Sequence, residues 1–198
     1  VLTIHAADSV RLTWDGAPLV EGAVAVSGDR VAAIGPLAEV REAYPEARVR
    51  QWAGVLGPGL AHHGPLPEAP SPRERVHAVL KSGATAVTGA GLDSELRAAA
   101  VRGGVLLLAG PRTAVLAVDG RADLAVFSAV SGAGTGAVSG AASSAGTGVP
   151  SGAASSEGSY GGPVGGPDGG SVGGPDGGPA GGECLATVCA GRLVHRRR

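Results

Sequence analysis

Two adjacent histidines, His62 and His63 in "GPGLAHHGPL", are the residues of this chain whose type most directly invites metal chemistry. A zinc ion that activates water needs three or four convergent ligands. Consecutive residues of a strand point to opposite faces, so His62 and His63 cannot both face one ion from a strand. His5, His77 and His195 are the other imidazoles, and Lys81 is the single lysine. His77 and Lys81 fall in a helical pattern, while His5 and His195 fall in strand patterns. Asp93 and Glu95 could pair as general acid and base, but both also suit the first turn of a helix, where a carboxylate caps amides and meets a favourable dipole. "SGATAVTGAG" is glycine-rich, yet it lacks the Lys-Ser/Thr and the spacing that make a phosphate loop. Cys184 and Cys189 are five apart, which on a regular strand puts them on opposite faces. They read as small apolar fillers in a reducing compartment, not as a disulfide.

The elements that must carry these residues change period along the chain. "LTIHAA" and "VRLTW" read as two short strands separated by Asp8 and Ser9. "GAVAVSGDRVAAIG" (22–35) reads as a hairpin turning at Gly28-Asp29. "LAEVREAYPEA" (37–47) is a short helix ended near Pro45, and "RVRQWAG" alternates as a half-buried strand does. The middle is helical and apolar by turns. Ser71 and Pro72 start a helix that places Val76, Val79 and Leu80 on one face and stops at Gly83. "ATAVTG" follows as a buried strand. A second helix begins at Asp93 or Ser94 and ends at Gly103, and "VLLLAG" (105–110) is the next strand. Two βα units in this order predict parallel pairing. "TAVLAVDGRADLAVFSA" (113–129) reads as a hairpin around Asp119-Gly120, and "CLATVCAGRLVHRRR" as another around Ala190-Gly191.

Composition bounds the rest. Of 198 residues, 36 are Gly and 14 Pro, with one Phe, two Trp and no Met, so the core must be built from Val, Leu and Ala. Residues 131–182 form a Gly/Ser/Ala/Pro block with internal repeats such as "SGAASS" and "GGPDGG". It holds too little apolar surface to offset its conformational entropy, and is expected to be disordered. A loop of that length still permits pairing of the strands on either side of it. The net charge of −1 and the absence of a basic, aromatic-laced stripe speak against a nucleic-acid partner. No apolar run is long enough to cross a membrane, and no signal-peptide pattern stands at Val1. The expected location is cytoplasmic.

Four stretches in this order resemble the amidohydrolase superfamily, most nearly its imidazolonepropionase-like and aminodeoxyfutalosine deaminase-like members. "DGAPLVEGAVAVSGDRVAAIGPLAEV" is similar to that family's opening hairpin and "VLGPGLAHH" to its step into the barrel. "GRADLAVFSA" is similar to its Ala-Asp-Leu strand and "ATVCAGRLVHRRR" to its closing hairpin. The resemblance implies a composite β-sandwich built from 1–53, 113–130 and 183–198. Between these segments, residues 54–112 would form a short βαβαβ remnant of a metal-dependent (β/α)8 barrel, since a full barrel takes about 250 residues. The implied activity is hydrolysis of a non-peptide C–N bond in a small cyclic amidine or aminopurine-type substrate, using zinc or another divalent metal. A homo-oligomer would be compatible with it. The family's paired ligands are His-x-His. Here only one of His62 and His63 can occupy such a position, and Asp123 belongs to the Ala-Asp-Leu strand, not to the catalytic aspartate motif. The alternative is a non-catalytic relative kept as a binding or assembly module.

Overall fold

The computed structural model describes residues 2–129 and 182–197. Strands β1 (Leu2–Arg11), β2 (Pro18–Val20), β3 (Gly22–Ser27) and β4 (Arg30–Pro36) come first, then helix α1 (Leu37–Ala43) and the long strand β5 (Arg48–Pro58). The middle is β6 (Leu60–His62), α2 (Pro72–Lys81), β7 (Ala84–Thr88), α3 (Ser94–Arg102) and β8 (Leu106–Leu108). Strands β9 (Leu124–Phe127), β10 (Cys184–Cys189) and β11 (Arg192–Arg196) complete the mixed α/β fold. The block at 131–182, expected to be disordered, lies outside the described residues except for Gly182.

Eight strands form one sheet in the order β11-β10-β9-β5-β1-β3-β4, with β2 paired to β1. Strands from both ends of the chain therefore meet where β5 pairs with β9, Val55 opposite Phe127 and Pro58 opposite Leu124. The sheet rolls until its far strands approach each other. Residues 119–122 stitch that closure: Val31 donates to the Gly120 carbonyl, Ala122 to Asp29, and Gly191 to Ala122, each within 2.9 Å. Gly191 lies so close to the Gly28 carbonyl that a Cβ there would collide with it. Inside the roll, Val24, Val26 and Val31 pack with Leu56, Leu124, Val126 and Val188. Helix α1 covers the other face of β1 and β3 through Val40, against Ile4, Ala6, Ala23 and Ala25.

The second sheet, β6-β7-β8, is parallel throughout, as two βα units require. Its helices start where the sequence says. Ser71 accepts from the Glu74 amide while its hydroxyl donates to the Glu74 carboxylate, and Asp93 accepts from the Leu96 amide at 2.7 Å. Val76, Val79 and Leu80 of α2 and Leu96, Ala99 and Ala100 of α3 are buried against Val87, and that core continues to Phe127 and Cys184 of the large sheet. The Thr187 hydroxyl donates to the Leu80 carbonyl at 2.7 Å, fastening the end of α2 to β10.

Gly57-Pro58-Gly59 is the passage between the sheets. A Cβ on Gly57 would come within 2.7 Å of the Trp14 ring, whose indole donates to the Pro58 carbonyl, and a Cβ on Gly59 would collide with Thr85. Glycine is needed here for close approach of two packed elements, and any larger residue would overpack the joint.

Three local expectations are corrected. Residues 2–11 form one strand, not two, because β5 absorbs the irregularity. Two of its residues, Ala53 and Gly54, oppose the single Asp8, whose carboxylate accepts from the Gly54 amide at 2.6 Å. Residues 113–118 do not pair with β9 as a hairpin arm. Leu116 instead buries its side chain in the roll and donates its amide to the Leu12 carbonyl. Cys184 and Cys189 enter the same core, not opposite faces, because β10 is bulged between Cys184 and Ala186. Both are free thiols.

Asp123 joins three parts of this fold. Its backbone carbonyl accepts from Gly59 at 2.9 Å, and its carboxylate accepts from the Ala190 amide at 2.9 Å and pairs with Arg121 at 3.4 Å. Burial raises its pKa, against the opposing pull of the Ala190 amide and Arg121. The geometry of the acceptor thus matters more than its charge. Asp123→Ala, which orphans the Ala190 amide, is expected to cost roughly 1–3 kcal/mol in urea unfolding, and Asp123→Asn, which keeps an acceptor oxygen, distinctly less. Equal losses would show that the ion pair, not the capped turn, is what stabilises.

Candidate functional site

In sheets of parallel strands, ligands gather outside the carboxyl ends of the strands, where loops leave a rigid platform. Here those ends are His62 of β6, Thr88 of β7 and Leu108 of β8. The two histidines diverge. His62 is buried, and its Nε2 donates to the Pro65 carbonyl at 3.0 Å, which fixes the turn leaving β6. His63 places Nδ1 2.8 Å from the Thr88 hydroxyl, bridging the ends of β6 and β7. Pro111, Arg112 and Thr113, on the segment leaving β8, complete an open depression beside His63 and Thr88.

The remaining sequence candidates serve elsewhere. His5 lies in the large sheet, stacked beside Trp52 and accepting from its indole at 3.2 Å. His77 and His195, from α2 and β11, meet edge to face with ring centroids 6.5 Å apart, a contact that sequence spacing could not reveal. Burial, then His77 and Lys81, lowers the pKa of His195. Asp93 caps α3, and Lys81 ends α2. Cys189 donates to the Gly104 carbonyl at 3.1 Å, and burial together with Asp123 pushes its thiol up to about 12, so it is no nucleophile. Among the described residues, no three His, Cys, Asp or Glu side chains converge as a metal site. The described residues alone do not gather the three or four ligands that a catalytic zinc or similar ion takes. Thr88 and Arg112 went unnoticed in the sequence. The one available signal was their position just after strands of βα units.

Comparison with known proteins bears first on the N-terminal hairpin region. Residues 22–47, which span β3, β4 and α1, match the imidazolonepropionase-like composite domain of bacteria. The amidohydrolase-type resemblance read from the opening hairpin stands for that segment. The solved structure of A. niger ochratoxinase is similar at 22% identity over 53% of this chain and 29% of that one, with a TM-score of 0.40. E. coli guanine deaminase is similar at 16% identity over 53% and 34%, with a TM-score of 0.43. Helicobacter pylori aminofutalosine deaminase in complex with methylthio-coformycin is similar at 18% identity over 43% and 29%, with a TM-score of 0.35. The chain spans about a third of the length of each of these proteins. No curated protein matches it. No helix among the described residues is long and apolar enough to cross a membrane.

The buried His5 gives the fold a definite acid sensitivity. Desolvation, followed by the Arg50 charge, lowers its pKa from 6.5 to about 4. In that interval the unfolded chain takes up a proton that the folded chain refuses. Stability is complete above pH 6.5 and is lost as the pH falls toward 4, by roughly 3 kcal/mol for this group. Urea unfolding between pH 7 and pH 4 should show this slope, and His5→Gln, which can still accept from Trp52, should flatten it. An unchanged slope in the variant would place the acid sensitivity in other groups.

Proposed function

We propose that this chain is a composite module of amidohydrolase type that binds a small ligand at the carboxyl ends of β6, β7 and β8, without metal-dependent catalysis of its own. In this reading the large sheet is the composite β-sandwich, assembled from segments 1–53, 113–130 and 183–198. The βαβαβ layer within 54–112 is a remnant of a barrel. One observation carries it: the rings of His62 and His63 are directed to different protein partners, the Pro65 carbonyl and the Thr88 hydroxyl. These bonds occupy one nitrogen of each ring, Nε2 of His62 and Nδ1 of His63, and no further ligand of the usual kinds converges beside the other two among the described residues.

A second reading, favoured by the family match over residues 22–47, is metal-dependent hydrolysis of a C–N bond in a cyclic amidine or aminopurine. For that, one of His62 and His63 would ligate, and the other ligands would come from a second subunit. The two readings differ in metal content. Elemental analysis of the purified full chain, prepared without chelator, should find zinc, iron and manganese well below one ion per chain, with a melting temperature unmoved by EDTA. Near-stoichiometric metal that is lost in His62→Ala/His63→Ala would overturn the binding-module reading in favour of the hydrolase.

A further inference from the structure

The lining of the depression at the carboxyl ends of β6–β8 is chemically one-sided. His63, Thr88, Arg112 and Thr113 contribute an imidazole, two hydroxyls and a guanidinium, and Pro111 closes the wall. None of the five is acidic. All four polar groups can donate hydrogen bonds, and Arg112 adds a permanent positive charge. Arg112 is exposed, and its guanidinium has no ion-pair partner among the described residues. Its charge is felt by the Asp123 carboxylate, but that carboxylate is paired with Arg121 and makes no ion pair with Arg112.

The His63–Thr88 contact at 2.8 Å organises the other donors. When the Thr88 hydroxyl donates to Nδ1, the neutral ring carries its proton on Nε2 and offers that N–H to a ligand. The arrangement is tied to rigid parts. His63 follows directly on β6, and Thr88 is the last residue of β7. The loop after Thr88 is held by the Gly89 amide on the Leu108 carbonyl at 2.8 Å and by Arg97 on the Gly89 carbonyl at 2.9 Å. A divalent cation in the same depression would face the Arg112 guanidinium at short range, an unfavourable encounter even in partly hydrated surroundings.

We infer that this depression is a receptor for a small oxyanion, a phosphate or carboxylate group of a small molecule, held by Arg112 and oriented by His63 and Thr88. The planar guanidinium suits two oxygens of either group. The inference rests on the binding-module reading above and supplies its ligand chemistry. Because the depression is open to solvent, binding should be weak and should decline with ionic strength.

The test is NMR of the full chain, following the His63 ring while inorganic phosphate or acetate is added at constant ionic strength maintained with chloride. A saturable shift of the His63 signals is expected in at least one arm, and the arm with the tighter response names the group. Arg112→Gln, at an exposed position, should weaken that response about tenfold or more, the effect of removing a charge-assisted hydrogen bond. Thr88→Val should weaken it too, whereas Arg102→Gln, on α3 away from the depression, should not. Absence of saturation in both arms, or a response unchanged in Arg112→Gln, overturns the anion receptor. Addition of zinc chloride to the same sample keeps the two readings apart. A stoichiometric zinc-induced shift of His63 overturns the binding-module reading itself, while silence toward zinc together with silence toward both anions overturns only the oxyanion assignment.

Discussion

The fold turns on one aspartate. Asp123 receives the Gly59 amide on its carbonyl and the Ala190 amide on its carboxylate. The first bond sits where the chain passes from the large sheet to the parallel one. The second holds the turn that joins β10 to β11. These segments come from distant parts of the sequence, and their alignment fixes the pairing of β9 with both β5 and β10. Even a partly buried carboxylate is costly unless its oxygens are satisfied, and here each has a partner in Ala190 or Arg121. The Ala-Asp-Leu sequence thus has a mechanical explanation: small residue, knot, then the buried strand.

That knot also braces the strand ends at which we propose that a ligand binds. Gly59 leads directly into β6, so the position of His63 follows from the joint at Asp123. Parallel strands β7 and β8 take their register from β6, with Ala61 opposite Ala86 and Ala86 opposite Leu106. The helices behind them are anchored on the large sheet through Phe127 and Thr187. The depression lined by His63, Thr88 and Arg112 is therefore the loop end of a platform braced from behind, which is the arrangement that recognition requires.

Much of the platform was legible in the sequence because local rules and global packing agree there. Ser71-Pro72 and Asp93 start helices whose apolar faces repeat at helical spacing, and the hairpins at Gly28-Asp29 and Ala190-Gly191 carry the residues that tight turns demand. Failures fell where tertiary contacts decide. The bulge in β10 brings Cys184 and Cys189 to one core against the simple alternation, and the extra residue opposite Asp8 lets one strand run through a polar step. Residues 113–118 look like a strand but are drawn into the roll by Leu116. At the candidate site, the divergence of His62 and His63 followed from strand geometry alone. The partnership of His63 with Thr88, 25 residues away, and the approach of Arg112 depended on the register of three parallel strands, which no short-range pattern specifies.

The claim on which the rest stands is that segments from the two ends of the chain form one cooperative sheet through Asp123. Native-state hydrogen exchange of backbone amides measures it most directly, because opening free energies report which segments unfold together. The amides of Gly59 and Ala190 should exchange only with the slowest core amides of β5 and β9, at the free energy of global unfolding. Ala190 and the β10–β11 amides exchanging by a separate opening of much lower free energy, while β1 and β5 stay protected, would contradict the account.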